Sequence, residues 1–68
     1  MANTKLTVTL IPKAVTALEE AARITGDTQT DTINRAIQFY AFVNTELAKG
    51  KRLFLQDANG DLFKVTLR

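Results

Sequence analysis

The chain opens on strict alternation. Across residues 4–10, Leu6, Val8 and Leu10 fall on one side, and Lys5, Thr7 and Thr9 on the other. Period two with β-branched residues predicts a half-buried strand. Pro12 stops that strand and suits the first turn of a helix, where its missing N–H costs nothing. From Lys13 the period lengthens. Ala14, Val15, Leu18, Ala21 and Ala22 recur every three or four residues, predicting an amphipathic helix. Glu19 stands four residues before Arg23, the favourable order for a helical ion pair. Gly26 is placed to end the helix in a left-handed conformation.

A second helix is predicted from Thr28, whose hydroxyl caps a free N–H, with Asp31 completing a capping-box-like pair. Its apolar set is wide: Ile33, Ala36, Ile37, Phe39, Tyr40, Ala41, Phe42, Val43 and Leu47. A helix apolar over so much of its circumference is expected to pack on several sides. It runs to about Lys49, where Gly50 ends it and Lys49, Lys51 and Arg52 complement the negative end of its dipole. Residues 53–56 and 62–67 are strand-like, with Asn59-Gly60 between them. A two-residue loop would mix the faces. A three-residue Ala58-Asn59-Gly60 loop, with Gly60 left-handed, pairs Leu55 with Phe63 and Leu53 with Val65, and gathers those four on one face.

Composition changes this picture by subtraction. A chain of 68 residues is one domain at most, near the size where a lone core supplies only about 3–5 kcal/mol. It has no Cys and no His, so a disulfide is excluded and a structural metal site is not expected. Oligomerisation is the remaining staple, and a twofold homodimer is the expected form. The same absences remove thiol nucleophiles, imidazole bases and Ser-His-Asp chemistry, so no catalytic residue, enzyme activity or cofactor is expected. No apolar run reaches membrane-spanning length and the first residues are polar, which makes the cytoplasm the expected location.

Strand, helix, Gly-ended turn and Thr-capped helix in about 45 residues resemble the ribbon-helix-helix DNA-binding family of bacterial repressors. The resemblance rests on Lys5-Leu6-Thr7-Val8-Thr9-Leu10, on the first helix with Leu18 and Ala22, and on Gly26-Asp27-Thr28-Gln29-Thr30, which looks like the family's G-x-S/T-x-S/T turn. It covers residues 4–49 and not the C-terminal hairpin. It implies an α+β, mainly α fold: an intertwined ribbon-helix-helix homodimer with an N-terminal strand and two helices in residues 1–50. Residues 51–68 then add a C-terminal β-hairpin extension. The resemblance further implies double-stranded DNA as partner, a nucleoid-associated location and transcriptional repression by a two-stranded ribbon in the major groove.

On that resemblance Lys5, Thr7 and Thr9 are the base-reading positions. Their chemistry fits, since Lys hydrogen-bonds guanine acceptors and Thr donates, accepts or sets a methyl against thymine. The plain alternative is an edge strand's solvent face. Thr28, Gln29 and Thr30 are the phosphate-binding positions, at a helix N-terminus whose free N–H groups and dipole favour anions. Gln29 stands where relatives often carry a basic residue, and Asp27 and Asp31 add negative charge. Thr28 either only caps or caps and also meets phosphate.

Charge is uneven. Residues 1–34 hold three basic side chains against four acidic, and residues 35–68 six against three. Lys49, Lys51, Arg52, Lys64 and Arg68 are either auxiliary phosphate contacts or a dipole complement and solvated tail. Asp57-x-Asn59-x-Asp61 imitates a calcium loop but has Leu62 where Gly is required and Arg68 at the twelfth position, so no metal is expected. The hairpin is either a stabilising addition or an edge for another protein or dimer, including higher-order assembly on DNA. An antitoxin or plasmid-partition role fits the same fold. A dimeric protein-interaction module that binds no DNA is the alternative of another class.

Overall fold

The computed structural model describes residues 3–67, so Met1, Ala2 and Arg68, the last of the proposed basic tail, lie outside the described residues. The element order is α1 (Pro12–Thr25), α2 (Gln29–Ala48), β1 (Leu53–Gln56) and β2 (Leu62–Val65). The chain divides into two compact units, one up to residue 34 and one from residue 35. The cut falls inside α2, where the charge balance also changes.

The first unit corrects one expectation. Residues 3–11 form neither helix nor strand, so the N-terminal strand, and with it the expected strand-first fold, is absent from this chain. The physical reason is partnership. A strand exists through its ladder, and the only two strands among the described residues pair with each other. Alternation at 4–10 supplies a side-chain pattern but no hydrogen-bond acceptor row.

α1 starts where the sequence placed it. Pro12 occupies the first turn, and Ile11 before it is in extended backbone (φ −70°, ψ 154°), as a residue preceding proline prefers. Ala14, Leu18, Ala21 and Ala22 are half-buried, whereas Val15 is exposed. Gly26 ends the helix at φ 77°, and its N–H donates to the Ala22 carbonyl at 2.9 Å, the single-bond left-handed cap. Arg23 pairs with Glu20 rather than Glu19: its Nε donates to Oε2 at 3.1 Å and a terminal nitrogen donates to Oε1. Three-residue spacing serves as well as four, and it permits both donors of the guanidinium fork to be used.

α2 begins on its cap. The Thr28 hydroxyl accepts the Asp31 N–H at 3.1 Å, and the Thr28 carbonyl accepts the Thr32 N–H at 2.9 Å. No bond runs back from the Asp31 carboxylate to the Thr28 N–H among the described residues; Asp is one methylene shorter than the Glu that closes a full capping box. Thr32, also buried, donates its hydroxyl to the Thr28 carbonyl at 2.8 Å, so its burial leaves no polar group unpaired.

In the second unit α2 ends in a Schellman motif. The Gly50 N–H donates to the Leu47 carbonyl at 3.0 Å and the Lys51 N–H to the Glu46 carbonyl at 3.3 Å. The apolar contact that often closes this motif is replaced by an ion pair, Lys51 Nζ to Glu46 Oε2 at 2.6 Å. The hairpin has the expected register, with Leu53 opposite Val65 and Leu55 opposite Phe63. Asp57 and Asp61 bracket the expected three-residue loop, the Asp57 N–H donating to the Asp61 carbonyl at 2.9 Å. β2 stops at Val65, two residues short of the strand-like run, because β1 offers no partner beyond Leu53.

The wide apolar face of α2 does not find the several-sided packing its pattern asks for. Val43 is the one buried hydrophobic residue among those described, while Ile37, Phe39, Tyr40 and Phe42 are 57–64% exposed. Val43, Leu47 and Leu53 line one small cleft between the helix and the hairpin root.

Gly60 sits at φ 91°, and a Cβ there would meet nothing nearer than the Gln56 Nε2 at 3.9 Å. Substitution is therefore penalised by backbone conformation alone. Gly60→Ala is expected to cost the hairpin about 1–2 kcal/mol, read as faster amide exchange at residues 53–56 and 62–65 while the amides of α1 are unchanged.

Candidate functional site

The two predicted sets of contact residues both lie in the first unit, on the segments that enter and leave α1. No hydrogen bond joins one set to the other among the described residues.

The entering segment is exposed along its whole described length. Leu6 is 80% and Val8 64% exposed, so the alternation at 4–10 has no covered side in this chain. Lys5, Thr7 and Thr9 are exposed too, and no ion pair or hydrogen bond occupies any of their side chains among the described residues. All three groups are therefore unengaged donors, with the threonine hydroxyls also able to accept. Their apolar neighbours meet water at a cost that only an added surface would remove.

The leaving segment is built by two local devices. Gly26 turns the chain, and Thr28 fixes the start of α2 through its bond to the Asp31 N–H. Gln29 and Thr30 are the first two helical residues, and the N–H groups of a first turn have no intrahelical acceptor. Both are exposed, and the Thr30 carbonyl is taken by the Asn34 side chain at 2.8 Å. Asp31, exposed in that same first turn, competes with any incoming anion for the positive end of the helix. The Thr28 hydroxyl is committed to the cap in this geometry.

The basic residues divide by engagement. Glu20 holds Arg23, and this hydrogen bond outweighs the small opposing effect of desolvation, raising the guanidinium pKa above its ordinary value. Glu46 takes both Lys51, at 2.6 Å, and Lys49, at 3.8 Å. Arg52 and Lys64 have no ion-pair partner among the described residues, and both line an open groove of 480 Å³ with Asn44, Leu47, Leu53 and Val65. The groove was not legible in the sequence, because it depends on where the hairpin root meets the last turns of α2. Glu46 was legible in part: three residues before Lys49, it has standard helical spacing, but its reach to Lys51 depends on the turn at Gly50.

The calcium-like Asp57-x-Asn59-x-Asp61 run has a structural role. Asp57 Oδ1 accepts the N–H of Asn59 at 2.9 Å and of Asp61 at 3.0 Å, fastening the hairpin loop. No group of three or more His, Cys, Asp or Glu side chains is placed to hold a metal ion among the described residues. No helix among them is long and apolar enough to cross a membrane. No family model, no curated protein and no solved structure matches this chain.

Thr28→Ala removes the acceptor for the Asp31 N–H and is expected to lower stability by about 1 kcal/mol. Thr28→Ser, which keeps the hydroxyl, should recover most of that loss in urea denaturation. Equal stability of both variants and the parent would show that the cap contributes nothing.

Proposed function

We propose that the chain is a sequence-specific DNA-binding protein of the ribbon-helix-helix kind, acting as a homodimeric transcriptional repressor. In this reading residues 4–10 of two copies lie side by side in the major groove, and Lys5, Thr7 and Thr9 meet the base edges. The exposed start of α2 at Thr28, Gln29 and Thr30 faces the phosphate backbone, with backbone N–H groups as the donors.

The observation that carries the reading is the bare segment at 4–10. One side holds three unengaged hydrogen-bonding side chains and the other holds Leu6, Val8 and Leu10, 41–80% exposed. A single copy provides no apolar cover for such a segment, and in this reading a second copy supplies it. The uncovered Ile37, Phe39, Tyr40 and Phe42 on α2 ask for the same remedy. Large exposed apolar patches mark surfaces that associate.

Charge supports placed contacts over a general electrostatic attraction. The net charge is only +2 per chain, and residues 1–34 are acidic by one. Affinity then depends on side chains set against particular groups, and its dependence on salt should be shallow for a DNA-binding protein.

Binding is tested by fluorescence anisotropy on DNA from upstream of the protein's own reading frame, at two salt concentrations. Lys5→Ala, Thr7→Ala and Thr9→Ala should each weaken specific binding by about 1–3 kcal/mol and leave the oligomeric state unchanged. Parental affinity in all three variants overturns the assignment. Absence of DNA binding by the parent protein at both salt concentrations would favour the interaction-module reading.

Dimerisation has its own test. Ile37→Glu places a charge on the uncovered face of α2 and should shift the protein to monomer in sedimentation equilibrium, with specific DNA binding lost alongside. A variant that stays dimeric would move the interface off this face of α2.

A further inference from the structure

The second unit carries two surfaces of opposite character at the two ends of its hairpin. At the root, the open groove has an apolar lining of Leu47, Leu53, Val65 and Leu67, and Arg52 and Lys64 add two positive charges. Those are the basic side chains of this region that Glu46 leaves unpaired. At the tip, Asp57 and Asp61 bracket the loop, next to Leu55, Leu62 and Phe63, which are 56–64% exposed. The Asp61 carboxylate has no hydrogen bond or ion pair among the described residues, and Asp57 fastens the loop through Oδ1.

We infer that the hairpin tip of one copy docks in the root groove of another, joining copies head to tail. The two surfaces match in kind: two carboxylates beside exposed apolar side chains against two cations beside an apolar groove. A chain's own tip does not reach its own groove. The four-pair ladder from Leu53 opposite Val65 to Gln56 opposite Leu62 holds root and tip apart, by about 10–13 Å at the usual rise per residue. The occupant is therefore another molecule.

Because tip and groove are different patches, the contact is heterologous and repeats instead of closing on itself. The apolar side chains provide the attraction, and the exposed charges set orientation and salt sensitivity. The surface is small, so association is weak in free solution and becomes effective when copies are already held near one another. The inference does not rest on DNA binding, and its test contains no DNA.

Sedimentation velocity over a concentration series reads the assembly. At low salt the parent protein should grow progressively in size with concentration, and about 0.5 M salt should weaken the growth. Arg52→Glu combined with Lys64→Glu spoils the groove alone, and Asp61→Lys spoils the tip alone. Each should require at least about tenfold more protein for equal growth. An equimolar mixture of the two should sediment faster than either variant alone, since intact tips of one then meet intact grooves of the other. Circular dichroism and amide exchange check that both variants keep the hairpin. A parent that stops at one fixed size, variants that grow as the parent does, or a mixture that sediments no faster than either variant would each overturn the proposal. Loss of dimerisation through Ile37→Glu is a separate outcome, because that residue lies outside both surfaces.

Discussion

The constraint on which everything else depends is a surplus of apolar surface over cover. Val43 is the only buried hydrophobic residue among those described, while fifteen large hydrophobic side chains are exposed. A core of that size cannot hold two helices and a hairpin in place by burial, since most helical stability in proteins comes from packing an amphipathic face. Short-range devices define the elements instead. Pro12 and Gly26 bound α1, Thr28 and the Schellman turn at Gly50 bound α2, and Asp57 fastens the loop. Side-chain hydrogen bonds follow the same rule: those observed link residues two to five positions apart, such as Thr45 to Ala41 and Gln56 to Gly60.

That division explains what could be read from the sequence. Helix ends, the left-handed glycines and the hairpin register were legible because each is decided by a few adjacent residues. The loop length followed from keeping Leu53, Leu55, Phe63 and Val65 on one face, and the ladder has that register. The strand expected at 4–10 failed for the opposite reason. Alternation fixes which side chains share a side, but a strand also needs another backbone, and these residues do not provide one. The partner of Arg23 lay between the two. Glu19 and Glu20 are both within helical reach, and a preference of a few tenths of a kcal/mol is too small to choose between them.

The candidate contact residues divide in the same way. Thr28 was identifiable as a cap because its role is satisfied within four residues. Lys5, Thr7 and Thr9 were identifiable only as a pattern, because no group among the described residues engages their side chains. The groove at Arg52 and Lys64 carries no sequence signature, since its lining joins α2 to the end of β2 across about 20 residues.

Ion pairing thins the positive surface of the chain. The chain's nine basic residues suggest a broader positive surface than exists. Glu20 neutralises Arg23, and Glu46 alone engages both Lys49 and Lys51. Exposed pairs of this kind contribute little to stability, but they remove cations from any diffuse field. Among the described residues the unpaired lysines of the first unit are Lys5 and Lys13, and in the second unit Arg52 and Lys64 lie together on one groove. Positive charge is thus delivered at separate points, each beside apolar side chains: Lys5 next to Leu6, and Arg52 next to Leu53. A cation placed beside an apolar surface favours partners that offer an anion and a nonpolar group together. A nucleic-acid groove edged with thymine methyls and phosphates has that character, and so does an acidic hairpin tip set with leucine and phenylalanine.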